Sequence, residues 1–115
     1  MAVKTTPARV RRAGQDIGGQ LAVWRTLQDL TAQQVAERAG ISRDTLRRLE
    51  HGEVGVSLET VLGVARALGA LDRLVEAFDP WQTDLGRARA TASLPQRVRR
   101  GTSLPLPSEG PTASG

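Results

Sequence analysis

The chain has 115 residues, a formal net charge of +4, no cysteine, and only three aromatic residues, Trp24, Phe78 and Trp81. That rules out a disulfide framework, and the shortage of aromatic and β-branched residues in alternating runs argues against a sheet protein. No apolar run approaches the roughly 20 residues that span a bilayer, and no apolar segment follows the basic N-terminus as in a secretory signal. A cytoplasmic, all-α protein is expected, with a core of Leu, Val and Ala.

Charge is unevenly spread. Residues 1–15 hold Lys4, Arg9, Arg11 and Arg12 and no acid, whereas residues 16–80 hold seven Arg against ten acids. The stretch 81–115 is basic again, with Arg87, Arg89, Arg97, Arg99 and Arg100 against Asp84 and Glu109. A polyanion would be drawn mainly to the two ends. Fifteen Arg to one Lys also fits a compositional bias with solvated basic tails.

Residues 1–15 lack apolar periodicity and contain Pro7 and Gly14, which reads as a flexible basic arm. Asp16 can cap a first helix carrying Ile17, Leu21, Trp24 and Leu27 on one face, despite the pair Gly18-Gly19. Thr31 caps a second helix with Val35, Ala36 and Ala39, stopped at Gly40. Ser42 caps a third, with Leu46 and Leu49 turned inward and Gly52 beyond its end. Ser57 caps a fourth, with Leu58, Val61, Leu62, Ala65 and Leu68 inward and Gly69 as its stop. Leu71, Leu74, Val75 and Phe78 make a short fifth, ending before Pro80. A weak helix over Asp84–Ala92 follows, and Pro95, Pro105, Pro107 and Pro111 mark a disordered tail. The expected organisation is an arm over 1–15, a five-helix domain over 16–79 and a tail over 80–115.

The most informative block runs from Leu30 to Gly52. A helix beginning at Thr31 turns at Gly40 into a second beginning at Ser42, with Ala36 small enough for two helices to cross closely and Ile41 at the corner. This is the spacing of a DNA-binding helix-turn-helix, whose second helix enters the major groove by its N-terminal residues. An enzyme is disfavoured by inventory. There is no cysteine nucleophile and no Gly-rich phosphate loop followed by Lys, and His51 has no evident catalytic partner. No metal or cofactor is expected.

In order and at matching spacing, residues 17–78 resemble the Xre (Cro/cI-type) family of DNA-binding domains. The resemblance is carried by Ile17-Gly18, Leu21, Arg25, Leu30-Thr31, Ala36, Gly40-Ile41-Ser42, Leu46, Leu49-Glu50-His51-Gly52, Ser57-Leu58-Glu59-Thr60 and Ala67-Leu68-Gly69. It implies a compact five-helix Cro/cI-type domain in which Arg43, Asp44 and Arg48 face base edges. Arg can fork onto O6 and N7 of guanine, and Asp can accept from the N4 amino group of cytosine. Thr31, Gln33, Ser42, Thr45, Arg47, His51 and Thr60 would lie at the flank or on phosphates. Ala32 stands where the family usually has a phosphate-gripping Gln, leaving that corner to backbone N–H groups. Arg25 and Glu50 occupy positions that form an architectural ion pair in the family.

Leu71, Leu74, Val75, Phe78 and Trp81 place several large apolar groups at the end of the domain, which suits a homodimer. Asp79-Pro80-Trp81-Gln82-Thr83-Asp84-Leu85-Gly86-Arg87, followed by the basic segment Pro95–Arg100, resembles the HipB-like antitoxins that accompany HipA-type kinase toxins. Two functions are therefore expected to compete. One is an antitoxin that binds a HipA-like kinase and represses its own operon. The other is a stand-alone transcriptional regulator. Both bind double-stranded DNA in the cytoplasm at the nucleoid.

Overall fold

Ala8 to Ala13 are mostly strong helix formers behind Pro7, whose ring fixes φ at a value compatible with helix entry. The computed structural model describes residues 5–93 and starts its first helix there, α1 at Ala8–Leu27. The start expected at Asp16 is therefore corrected: Asp16 lies inside α1, and Arg9, Arg11 and Arg12 ride on a helix instead of a flexible arm. The helix formers needed no amphipathic stripe to continue α1 toward the N-terminus. Residues 1–4, with Lys4, and residues 94–115, including Pro95–Arg100, lie outside the described residues.

Four further helices follow within the first of two compact units, residues 1–76, the last running one residue past it. They are α2 (Ala32–Ala39), α3 (Arg43–Glu50), α4 (Leu58–Ala67) and α5 (Leu71–Ala77). The second unit, residues 77–115, holds a 3-10 turn at Pro80–Gln82 and α6 at Asp84–Ser93. Among the described residues the fold is all-α with six helices. The extra helix beyond five is the weak one expected over Asp84–Ala92.

Helices of this length are marginal in isolation, so their ends need partners. Thr31 Oγ1 accepts the Gln34 N–H while Gln34 Oε1 accepts the Thr31 N–H, a reciprocal capping box. Ser42 and Ser57 accept from the N–H groups of Thr45 and Thr60. The C-terminal ends repeat one six-residue turn in which the sixth N–H returns to the first carbonyl. The returns are Leu30 to Arg25, Ile41 to Ala36, Glu53 to Arg48, and Ala70 to Ala65. The fifth residue is left-handed in each: Asp29 at φ 57°, Gly40 at 71°, Gly52 at 84° and Gly69 at 76°.

The core is built from Leu21, Val35, Ala36, Leu46, Leu49, Val64 and Leu68, with Trp24, Leu30, Ile41, Val56 and Val61 packed against it. α1 packs on α3, and α2 packs on both α3 and α4. Two expected faces are rotated. In α4 the inward set includes Val64, fully buried, while Leu58 is 70% exposed. In α1, Ile17 and Leu27 are exposed and Gly18 is buried. The stripe facing α3 passes through Gly18, Leu21 and Arg25, and a Cβ on Gly18 would overlap the Leu49 carbonyl oxygen. Gly19, its neighbour, faces open space. Toward the far end of the unit, Gln28 Nε2 donates to the Leu68 carbonyl at 2.8 Å, and the Arg73 guanidinium lies 5.7 Å from the Trp24 ring centre.

This contrast generates a paired test. Gly18→Ala should cost a few kcal/mol, because backbone must move to admit the methyl group. Gly19→Ala should gain about 0.5–1 kcal/mol from helix propensity alone. Urea denaturation of the two variants checks both signs, and equal effects would show that α1 does not approach α3 this closely.

Candidate nucleic-acid interface

Position by position, α3 separates into two faces. Leu46 and Leu49 are buried, while Arg43, Asp44 and Arg47 are exposed and Thr45 and Arg48 are half-buried. Asp44 sits in the first turn, where the helix dipole favours a negative charge. Its Oδ1 accepts from Arg47 Nη2 at 2.7 Å. That bond and the adjacent positive charge hold the Asp44 carboxyl below its ordinary range. Arg43 makes no ion pair among the described residues. Arg48 donates from Nε to Glu53 Oε1 at 2.8 Å, which stabilises its charged form.

The hydroxyls around the motif have an order of their own. Ser42 Oγ donates to Thr45 Oγ1 at 2.9 Å, and Ser57 Oγ donates to Thr60 Oγ1 at 3.0 Å. Each Ser–Thr pair shares one hydroxyl hydrogen bond, which leaves one hydroxyl proton per pair uncommitted. Each pair can therefore donate once to an anion, while Ser42 also serves as the cap of α3. Thr31 is likewise engaged in its capping box, and exposed Gln33 donates to Glu37 Oε2 at 2.8 Å. Ala32, at the phosphate-gripping corner of the resemblance, is half-buried against the core. His51 Nδ1 lies 2.7 Å from the Arg47 carbonyl oxygen, an acceptor to which only a protonated Nδ1 can donate.

Behind this surface, Arg25 meets Glu50 side-on. Nε donates to Oε2 at 2.8 Å and Nη2 to Oε1 at 3.1 Å, while Nη1 reaches the Leu30 carbonyl at 3.2 Å. Both side chains are mostly buried, at 21% and 14% exposure, and the Glu50 bonds hold Arg25 firmly in its charged form. One guanidinium therefore joins the end of α1, the turn into α2 and the last residue of α3.

A family model described as a helix-turn-helix domain matches residues 16–78. The chain belongs to the helix-turn-helix domain family. It is a family of DNA-binding type, and the matched span contains α2, the Gly40 turn and α3 in full. Comparison with curated proteins and with solved structures finds no match. Among the described residues no helix is long and apolar enough to cross a membrane.

Of the apolar residues expected at the end of the domain, Leu71, Leu74 and Trp81 are half-buried, and Val75 and Phe78 are exposed. One residue beside the recognition surface escaped the sequence reading: Glu53, on Arg48. The available signal was an acid placed directly after the Gly that ends α3.

The Arg25 clamp gives a coupling test. Arg25→Met or Glu50→Gln alone should cost about 1–4 kcal/mol, because each strands a partner that is mostly out of water. The double variant should cost clearly less than the two added together. Chemical denaturation of the four proteins measures this, and additive losses would mean the pair is not a unit.

Proposed function

We propose that the protein is a sequence-specific transcriptional repressor that seats the first turn of α3 in the major groove of double-stranded DNA. The observation that carries this reading is the exposed face of Arg43, Asp44 and Arg47 on the second helix of the motif, with half-buried Arg48 beside it and the Ser42–Thr45 and Ser57–Thr60 hydroxyl pairs at its flank. In this reading Arg43 and Arg48 contact guanine edges and Asp44 contacts cytosine, exchanging its pair with Arg47 to do so. Thr31, Gln33, Ser42, Thr45, Arg47, His51 and Thr60 line the flank and the phosphates. Exposed Arg9, Arg11 and Arg12 add a sequence-independent attraction from the start of α1.

A single domain presents one recognition helix, and a homodimer would set two of them about 34–36 Å apart on an inverted repeat. Val75 and Phe78, large and exposed, are the residues for such a contact, with Leu71, Leu74 and Trp81 beside them in sequence. The second reading adds a protein partner, a HipA-like kinase for which this chain would be the antitoxin. It is favoured by the resemblance of Asp79–Arg87 and by Leu85, which is 65% exposed on α6.

Arg43→Ala and Arg48→Ala should each lose about 1–3 kcal/mol on a duplex selected from a randomised pool and relax the base preference at one position per half-site. Neutralising Arg9, Arg11 and Arg12 together should weaken all duplexes alike and flatten the salt dependence. A salt titration in which neither Arg43→Ala nor Arg48→Ala changes affinity would remove α3 from the interface.

Partner and dimer are separated by truncation after Asp79. The shortened chain should still fold and bind DNA, but it should no longer capture a HipA-like kinase that the full-length chain captures in a pull-down. Phe78→Glu should shift full-length protein toward monomer in sedimentation at tens of micromolar. Equal capture by both chains, or an unchanged sedimentation profile, would reject the corresponding reading.

A further inference from the structure

Four helix ends in this chain share the same six-residue turn, and in each the sixth residue returns over the first. Such turns commonly carry an apolar contact between those two regions. Three of the four sixth residues here fit that pattern: Leu30 and Ile41 pack on the core, and Ala70 is buried. The fourth is Glu53, and it returns over Arg48. Where the others place an apolar group, this turn places a carboxylate on an arginine of the recognition helix. The left-handed backbone of Gly52, at φ 84°, is what brings it there.

The manner of contact matters more than its existence. Arg25 gives Nε and Nη2 to Glu50, which occupies one side of its fork, and Arg47 spends Nη2 on Asp44. Arg48 uses Nε alone, at 2.8 Å, and neither of its terminal nitrogens bonds another group among the described residues. A guanidinium held by Nε keeps its Nη1–Nη2 end whole, and that pair of donors matches O6 and N7 of guanine. The carboxylate also offsets the charge that would otherwise draw Arg48 to any nearby phosphate. To reach a phosphate sideways, Arg48 would have to leave Glu53. To present its end to a base, it can stay.

We infer that Glu53 is a positioning residue for DNA specificity, holding the Arg48 guanidinium by its Nε edge so that its two terminal nitrogens are presented to a guanine. This rests on the reading of α3 as the recognition helix and deepens it. Fixing a flexible side chain before binding favours the one complex that uses the fixed geometry and disfavours the many that do not. Glu53 therefore raises affinity for the matched site and lowers it for random duplex.

The experiment selects binding sites from a randomised duplex pool with full-length wild type, Glu53→Ala, Glu53→Gln and Arg48→Ala, then measures affinity for the wild-type consensus and for random duplex. Arg48→Ala should erase one guanine preference per half-site. Glu53→Ala should weaken that same preference and no other, lose about threefold to tenfold on the consensus, and gain about twofold on random duplex. Glu53→Gln, whose amide oxygen can still accept from Nε, should restore most of the guanine preference while keeping the gain on random duplex. Glu76→Gln, which removes one acid that has no ion pair among the described residues, controls for net charge and should leave the preference untouched. If Arg48→Ala erases a preference that Glu53→Ala leaves intact, the positioning role is overturned while the recognition helix stands. If no variant changes any preference, or wild type enriches no sequence, both fall together.

Discussion

One guanidinium fixes the direction in which α3 can face. Arg25 belongs to α1, accepts the Leu30 N–H with its backbone carbonyl, donates to the Leu30 carbonyl with Nη1, and holds the Glu50 carboxylate with Nε and Nη2. Glu50 is the last residue of α3, so the C-terminal end of that helix is tied to the α1–α2 turn and its first turn is left outward. Such a pair adds little net stability over an apolar replacement, since two charges must leave water to form it. What it supplies is direction. An apolar contact at the same place would tolerate rotation of α3 about its axis, and a side-on carboxylate–guanidinium pair does not. The close approach that makes it possible comes from Gly18, about two turns earlier on α1, where no side chain separates the helix from the Leu49 carbonyl.

The remaining geometry is set as much by helix ends as by the core. α2, α3 and α4 are too short to persist alone, and the largest fully buried side chains are only Leu46, Val35 and Val64. Each helix opens on a hydroxyl and closes on a left-handed residue, so its orphan donors and acceptors find partners within a few residues. Local satisfaction frees the outer face of α3 from structural duty. Leu46 and Leu49 are the side chains that anchor it in the core, Glu50 is held by Arg25, and none of Arg43, Asp44, Arg47 and Arg48 makes an ion pair to another helix among the described residues.

How much of this could be read from the sequence depended on what each residue type advertises. Thr31, Ser42 and Ser57 were legible as caps because a short hydroxyl before an apolar period has few other uses. Gly40 and Gly52 were legible as stops for the same kind of reason. Gly18 was not, because glycine carries no apolar weight, and the apolar period of α1 runs through Ile17 and Leu27 instead. Arg9 to Arg12 read as an arm because helix propensity without an amphipathic stripe leaves no period to detect. Glu53 stayed hidden because five residues across a helix end is not a neighbour spacing within a helix, where contacts fall at three and four. It became a neighbour of Arg48 only through the reversal at Gly52.

In the second unit the sequence pattern and the structure divide the residues differently. Nearly every polar member of Asp79–Arg87 is used locally. Asp79 Oδ1 accepts the Trp81 N–H, Thr83 Oγ1 donates to the Pro80 carbonyl and accepts the Gly86 N–H, and Arg87 reaches both the Trp81 carbonyl and Asp84. Gly86 lies so near the Pro80 carbonyl that any side chain there would collide with it. The residues that make the motif recognisable are thus the ones that build a 3-10 turn and start α6, and their spacing follows from folding alone. Phe78 and Leu85, 83% and 65% exposed, take no part in that construction. An exposed aromatic and an exposed leucine in so small a unit are unfavourable in water and gain most from being covered. Any protein recognised through Asp79–Arg87 would therefore meet Leu85 as its exposed apolar side chain, with the conspicuous polar motif serving to build the turn that precedes it.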